Sequence, residues 1–210
     1  MHVVRSSISR LAVLAGLAVA LTAGQARAQL AIGDAMPMKD VKMVGVDGRS
    51  VTLASVAGKK GTLVVFTCNH CPWAKMWQTR VTEIGNAAGK VGIGMVAVNA
   101  NDPAEYPEDG MDGMKQRAKE LKIKFPYVVD ATSDVARTFG ATRTPEAFLF
   151  DADGKLVYHG TVDDSPKDAS AVKDAYLKDA VNAVSTGKTV TTAETKSMGC
   201  SIKYRAKSTS

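Results

Sequence analysis

Apolar residues recur along this chain in two rhythms, and the switches between them lay out most of its elements. Val41 to Val46 and Ser50 to Leu53 flank Asp47-Gly48, a pattern that predicts a β-hairpin. Gly61 to Phe66 is a short apolar run rich in β-branched residues, as expected of a central strand buried on both faces. Beyond Pro72, the apolar positions Trp73, Met76, Trp77, Val81 and Ile84 follow a helical spacing that ends at Gly85 or Gly89. Val91 to Val98 predicts a second buried strand, and residues 99–112, rich in Asn, Asp, Pro and Gly, read as a loop. Short helices are expected over Met114 to Leu121 and over Ser133 to Phe139, the second closed by Gly140, with an extended piece at Phe125 to Val129 between them. Ala147 to Phe150 and Leu156 to His159 form a hairpin around Asp151-Ala-Asp-Gly154, and Ala171 to Val184 a final amphipathic helix. There is no internal repeat. The order β-α-β-α-β-β-α predicts an α/β fold: a mixed central sheet flanked by helices, its early strands parallel, its last hairpin antiparallel, with an extra N-terminal hairpin.

The N-terminal segment breaks this pattern. His2, Arg5 and Arg10 precede an apolar run from Leu11 to Leu21, and Ala26-Arg27-Ala28 places small residues where a signal peptidase reads. The run falls short of the roughly 20 apolar residues that span a bilayer. Residues 1–28 are therefore expected to be a signal peptide, 29–186 the domain and 187–210 a C-terminal tail. Export to the bacterial periplasm follows, with no stable membrane insertion after cleavage. The signal holds three basic residues and no acid, which leaves 24 basic against 21 acidic residues in the mature chain, a net charge of +3. Without a basic stripe interleaved with aromatics, nucleic-acid binding finds no support.

Three cysteines are present, Cys68, Cys71 and Cys200. An exported chain that relied on covalent staples would carry more, in even number. Cys68 and Cys71 stand three apart between a strand and a helix, close enough to bridge when oxidised. Helix N–H groups and the helix dipole favour a thiolate there. Cys68, nearer the surface, is read as the nucleophile and Cys71 as the resolving sulfur. A protonated His70 between them would stabilise the thiolate, and Pro72 fits the first helical turn. A zinc site lacks a second Cys/His pair, and a structural disulfide of this spacing would close almost no loop. The Pro145 of Thr144-Pro145 suits either an ordinary strand start or a cis turn. Cys200 has four readings: a third redox thiol folding back onto Cys68, a metal ligand, an intermolecular partner, or a passive thiol in a mobile tail. Its neighbours Ile202 and Tyr204 point to a tail that docks.

From about Ala31 to Val184 the chain resembles the thioredoxin superfamily, specifically exported thioredoxin-like proteins of the redoxin (alkyl-hydroperoxide-reductase/thiol-specific-antioxidant) type. The strand Leu63 to Phe66, the Cys68-Asn-His-Cys71 loop, Thr144-Pro145, the hairpin at Asp153-Gly154 and the last helix carry the resemblance. It implies a cis Pro145 facing the dithiol, with Thr144 pairing a substrate's extended backbone. Thioredoxin's buried aspartate, six residues before the first cysteine, is replaced by Thr62. Glu146 is a substitute, or else a solvated strand-start glutamate. Neither cysteine carries the Pro and Thr that peroxiredoxins place ahead of the peroxidatic sulfur. Gly61 and Val65 stand in those places before Cys68, and Val64 and Cys68 before Cys71, which argues against a peroxidase.

The expected function is a thiol–disulfide oxidoreductase exchanging disulfides with protein partners, without an organic cofactor. The competing reading is a copper-binding module or chaperone using Cys68, Cys71 and His159, since thiolate and imidazole both suit copper.

Overall fold

The structure, a computed structural model, describes His2 and residues 29–206; apart from His2, the expected signal peptide lies outside the described residues. A seven-stranded mixed sheet forms its centre. Strands β1 (Met43–Gly45) and β2 (Ser50–Val51) make the N-terminal hairpin, and β3 (Gly61–Phe66) leads into helix α1 (Pro72–Ala88). Then come β4 (Ile93–Asn99), α2 (Met111–Glu120), β5 (Tyr127–Val129) and α3 (Asp134–Phe139). The short β6 (Arg143–Thr144) precedes the hairpin β7 (Glu146–Asp151) and β8 (Leu156–Gly160), followed by α4 (Tyr176–Ser185) and β9 (Cys200–Ser201). The sheet order is β2-β1-β5-β4-β3-β7-β8, and β6 and β9 form a separate two-stranded piece. β3 and β4 pair in parallel, as do β4 and β5, while β7 runs antiparallel to both β3 and β8. The expected α/β fold is therefore observed.

Every residue of β3 is buried, and alternate side chains feed two cores. Leu63 and Val65 pack with Trp77, Leu149, Tyr158 and Leu177 on the side covered by α1 and α4. Val64 and Phe66 face the opposite way, onto Phe139 and Phe148. There the Phe66, Phe139 and Phe148 rings meet edge-on, with centroids 5.3 to 5.7 Å apart.

Two features depart from the sequence pattern, and a third, the docked tail, agrees with it. The N-terminal hairpin is continuous with the main sheet, because Val44 and Gly45 of β1 pair with Val129 and Val128 of β5. α4 starts at Tyr176, not Ala171. The Asp164 carboxylate accepts from the Lys173 and Asp174 backbone N–H groups, at 3.0 and 3.2 Å, and this local alternative replaces the first helical turn. Finally, residues 187–206 are bound to the domain. His159 in β8 exchanges backbone hydrogen bonds with Ala193 and Thr195, at 2.9 and 3.0 Å. Further on, Ile202 enters the core beside Ala141 and Phe139. Among the described residues no helix is long and apolar enough to cross a membrane.

Candidate functional site

The dithiol loop begins where β3 ends. Thr67 N–H still donates to Val98 O at 2.9 Å, after which the chain leaves the sheet. Cys71 is the N-cap of α1, with Pro72 at the first helical position, where no N–H is needed. Cys68 and Cys71 are both free thiols and both buried. Cys68 is 5% exposed and Cys71 is fully enclosed, so the order of access expected from the sequence is small in magnitude.

Asp109 fixes the loop from below. Its Oδ1 accepts from Asn69 N at 2.5 Å and from His70 N at 3.3 Å. Its Oδ2 lies 2.5 Å from His70 Nδ1 and accepts from Asn101 Nδ2 at 2.8 Å. Asn69 is held in turn by Tyr127 Oη, which donates to its Oδ1 at 3.0 Å. The His70 ring stacks on Tyr106, nearly parallel, with centroids 3.7 Å apart. The His70 ring is thus held between a carboxylate and an aromatic ring. Nothing in the sequence singled out Asp109, one of several acids in a loop. Its role arises only when β4 and the 107–109 turn bring it beneath the cysteines.

Thr144 joins the two sulfurs. The Thr144–Pro145 peptide bond is cis. Thr144 Oγ1 lies 3.2 Å from Cys68 Sγ, and its carbonyl oxygen is 3.4 Å from Cys71 Sγ, a contact suited to a protonated Cys71. A thiol hydrogen bond between the two sulfurs dominates their titration. It draws the Cys71 thiol well down, aided by the Cys200 side chain and the Ala74 amide and opposed by burial. The same bond, with burial and the Asp109 charge, pushes Cys68 up. The two sulfurs thus titrate as one unit that holds a single proton between them.

Glu146 is neither solvated nor turned toward the sulfurs. Its Oε2 accepts from the Thr142 and Arg143 amides at 2.7 and 2.8 Å. Its Oε1 lies 2.8 Å from His159 Nε2 and accepts from Ser197 Oγ at 2.9 Å and Gln29 Nε2 at 3.1 Å. Glu146 therefore braces the turn that presents Thr144. His159 is spent on this contact. Among the described residues the group of potential metal ligands lying within 4.8 Å of one another is Cys68, His70 and Asp109, not Cys68, Cys71 and His159. Copper ligation through His159 is thus not favoured.

Burial pushes the Glu146 carboxyl up, but the His159 contact and the two amides outweigh it and hold it below its ordinary value. Its contribution to stability is present above the unfolded carboxylate value and is lost as pH falls through the lower folded one. Glu146→Gln should cost about 2 kcal/mol at neutral pH, since bonds to a charged acceptor are lost. It should also flatten the loss of stability on acidification, as read from urea unfolding at neutral and acid pH. An unchanged pH dependence would show that Glu146 is not the group responsible.

Cys200 lies at this junction too. β9 pairs antiparallel with β6 so that Cys200 faces Thr144, and its side chain packs against Cys68, Cys71 and Ala74. Within that cluster its thiol interacts with the Cys71 sulfur.

Fold and site together define a thioredoxin-like domain, with a dithiol at a strand-to-helix junction against a cis proline. The chain belongs to the Redoxin family, whose model matches residues 31–176. An uncharacterized conserved protein from Geobacillus kaustophilus is 37% identical, with a TM-score of 0.78 over 83% of this chain and 93% of that one. The thioredoxin domain of a thiol-disulfide oxidoreductase from Bacteroides vulgatus is 25% identical, with a TM-score of 0.51 over 62% of this chain and 89% of the other. The thiol-disulfide oxidoreductase ResA of Bacillus thuringiensis is 24% identical over 112 residues. That match covers 53% of this chain and only 60% of the relative.

Proposed function

We propose that the protein is a thiol–disulfide oxidoreductase that exchanges disulfides with protein partners through Cys68 and Cys71 in an exported compartment, the bacterial periplasm. The observation that carries this reading is the pair of free thiols at the N-terminus of α1, both in contact with Thr144. Cys68, the sulfur nearer solvent, attacks the incoming disulfide. Its proton passes to the neighbouring Cys71 sulfur, so the base is built into the pair. A mixed disulfide forms at Cys68 as the partner's disulfide breaks, and one partner sulfur leaves as a thiolate that takes up a proton from solvent. Cys71 then loses its proton to solvent and attacks Cys68, releasing the second partner sulfur as a thiolate and leaving the Cys68–Cys71 disulfide. The hollow beside Cys68, Asn69 and Pro145 is about 30 Å³, room for little more than a water and too small for an organic ligand. Similarity to oxidoreductases named for thiol–disulfide chemistry supports the reading, and the basic and apolar pattern of residues 1–28 supports export.

The deciding measurement is the equilibrium of the Cys68–Cys71 pair with reduced and oxidised glutathione, followed by alkylation and mass analysis. A reversible two-electron transition is expected. A pair that stays reduced across the glutathione range, or ends only as glutathione adducts, would exclude dithiol exchange. Fractionation of cells carrying the full chain should place the protein outside the cytoplasm, shortened near Gln29.

A further inference from the structure

The C-terminal strand is built onto the dithiol more firmly than a passive tail needs. Beyond the pairing of Cys200 with Thr144, Ile202 N donates to Thr142 O at 3.0 Å. Lys203 N donates to Asn101 Oδ1 at 2.8 Å, and Tyr204 Oη donates to Ala141 O. Arg205 N donates to Ser133 Oγ at 3.0 Å, and Arg137 sits over the Tyr204 ring, 5.0 Å from its centroid. At Gly199 the backbone passes so close to Thr144 that an added Cβ would lie 2.2 Å from the Thr144 carbonyl oxygen. Only glycine permits this approach. One residue, Thr144, thus touches Cys68 through its hydroxyl, Cys71 through its carbonyl and Cys200 through its backbone pairing. The three cysteines pack together in one small cluster.

We propose that Cys200 is a third exchanging thiol of the redox centre, forming a disulfide with Cys71 that releases Cys68. This rests on the dithiol reading above. When a partner's disulfide has oxidised the pair, Cys200 loses its proton to solvent and its thiolate attacks Cys71 Sγ. The Cys71–Cys200 bond forms as the Cys68–Cys71 bond breaks. Cys68 leaves as a thiolate and takes up a proton, so one disulfide replaces another with no net oxidation. The oxidised protein then presents a single free thiol at Cys68 while the fully enclosed sulfur is occupied.

The test uses the full mature chain. Cys68→Ser is treated with oxidised glutathione, quenched with acid and mapped by mass. The expected product is an intramolecular Cys71–Cys200 disulfide exceeding glutathione adducts by about tenfold, because a tethered thiol acts at millimolar or higher effective concentration. Glutathione adducts at both sulfurs, or two free thiols, would overturn the proposal. In the otherwise unaltered chain, Gly199→Ala should dislodge the strand and lower the share of Cys71–Cys200 disulfide about tenfold, with the Cys68–Cys71 share rising to match. An unchanged share would overturn it as well. If Cys68–Cys71 forms and Cys71–Cys200 does not, this proposal alone fails. If neither forms, the dithiol reading fails with it.

Discussion

Cys68→Ser is expected to lower disulfide reduction, read with insulin as substrate, by at least about a thousandfold, because it removes the atom that attacks the partner's disulfide. Cys71 is fully enclosed, and Cys200 is held by the β6–β9 pairing. Cys71→Ser should give a comparable loss in turnover with a different signature. The first exchange still proceeds from Cys68, but the enclosed resolving sulfur is gone, so mixed disulfides with partners accumulate and survive acid quenching. It also removes the acceptor for the Cys68 proton, and alkylation of Cys68 should slow at neutral pH. Full insulin reduction by both variants would end the assignment.

Replacement of Asp109 should produce the next largest effect. Asp109→Ala leaves the amides of Asn69 and His70 and the Asn101 side chain without their acceptor in a buried loop. A loss of about 3–5 kcal/mol in unfolding free energy is expected, the scale for removing one partner of a buried charged network. Asp109→Asn separates stability from electrostatics. The carboxylate charge is one cause that pushes Cys68 up, so its removal should move the alkylation profile of the dithiol to lower pH. A profile that does not move would assign Asp109 to loop support alone.

The fold was readable because its strands are short apolar runs and its main helix follows a clean helical period. Gly61 to Phe66 and Pro72 to Ala88 appear where the pattern put them. The start of α4 was not readable, since Asp164 competes for the amides of Lys173 and Asp174 across a loop. At the site, the cysteine pair and Thr144-Pro145 announce themselves by residue type and local spacing. Asp109 does not, because its identity as the acceptor beneath the loop depends on the path between β4 and α2. The same limit hid the pairing of Glu146 with His159 and the contact of Cys200 with Cys71. Each joins residues that are distant in sequence through sheet register, which no single-chain pattern records.

The backbone bonds between His159 and residues 193–195 have a consequence for the behaviour of the chain in solution. β8 is the last strand on its side of the sheet, and an uncovered last strand offers a row of unmet N–H and C=O groups to any other extended chain. Residues 193–195 cover part of that row from within the same molecule. A chain cut after residue 186 would lose this cover along with the apolar side chain of Ile202. It should self-associate on light scattering at concentrations where the full chain stays monodisperse.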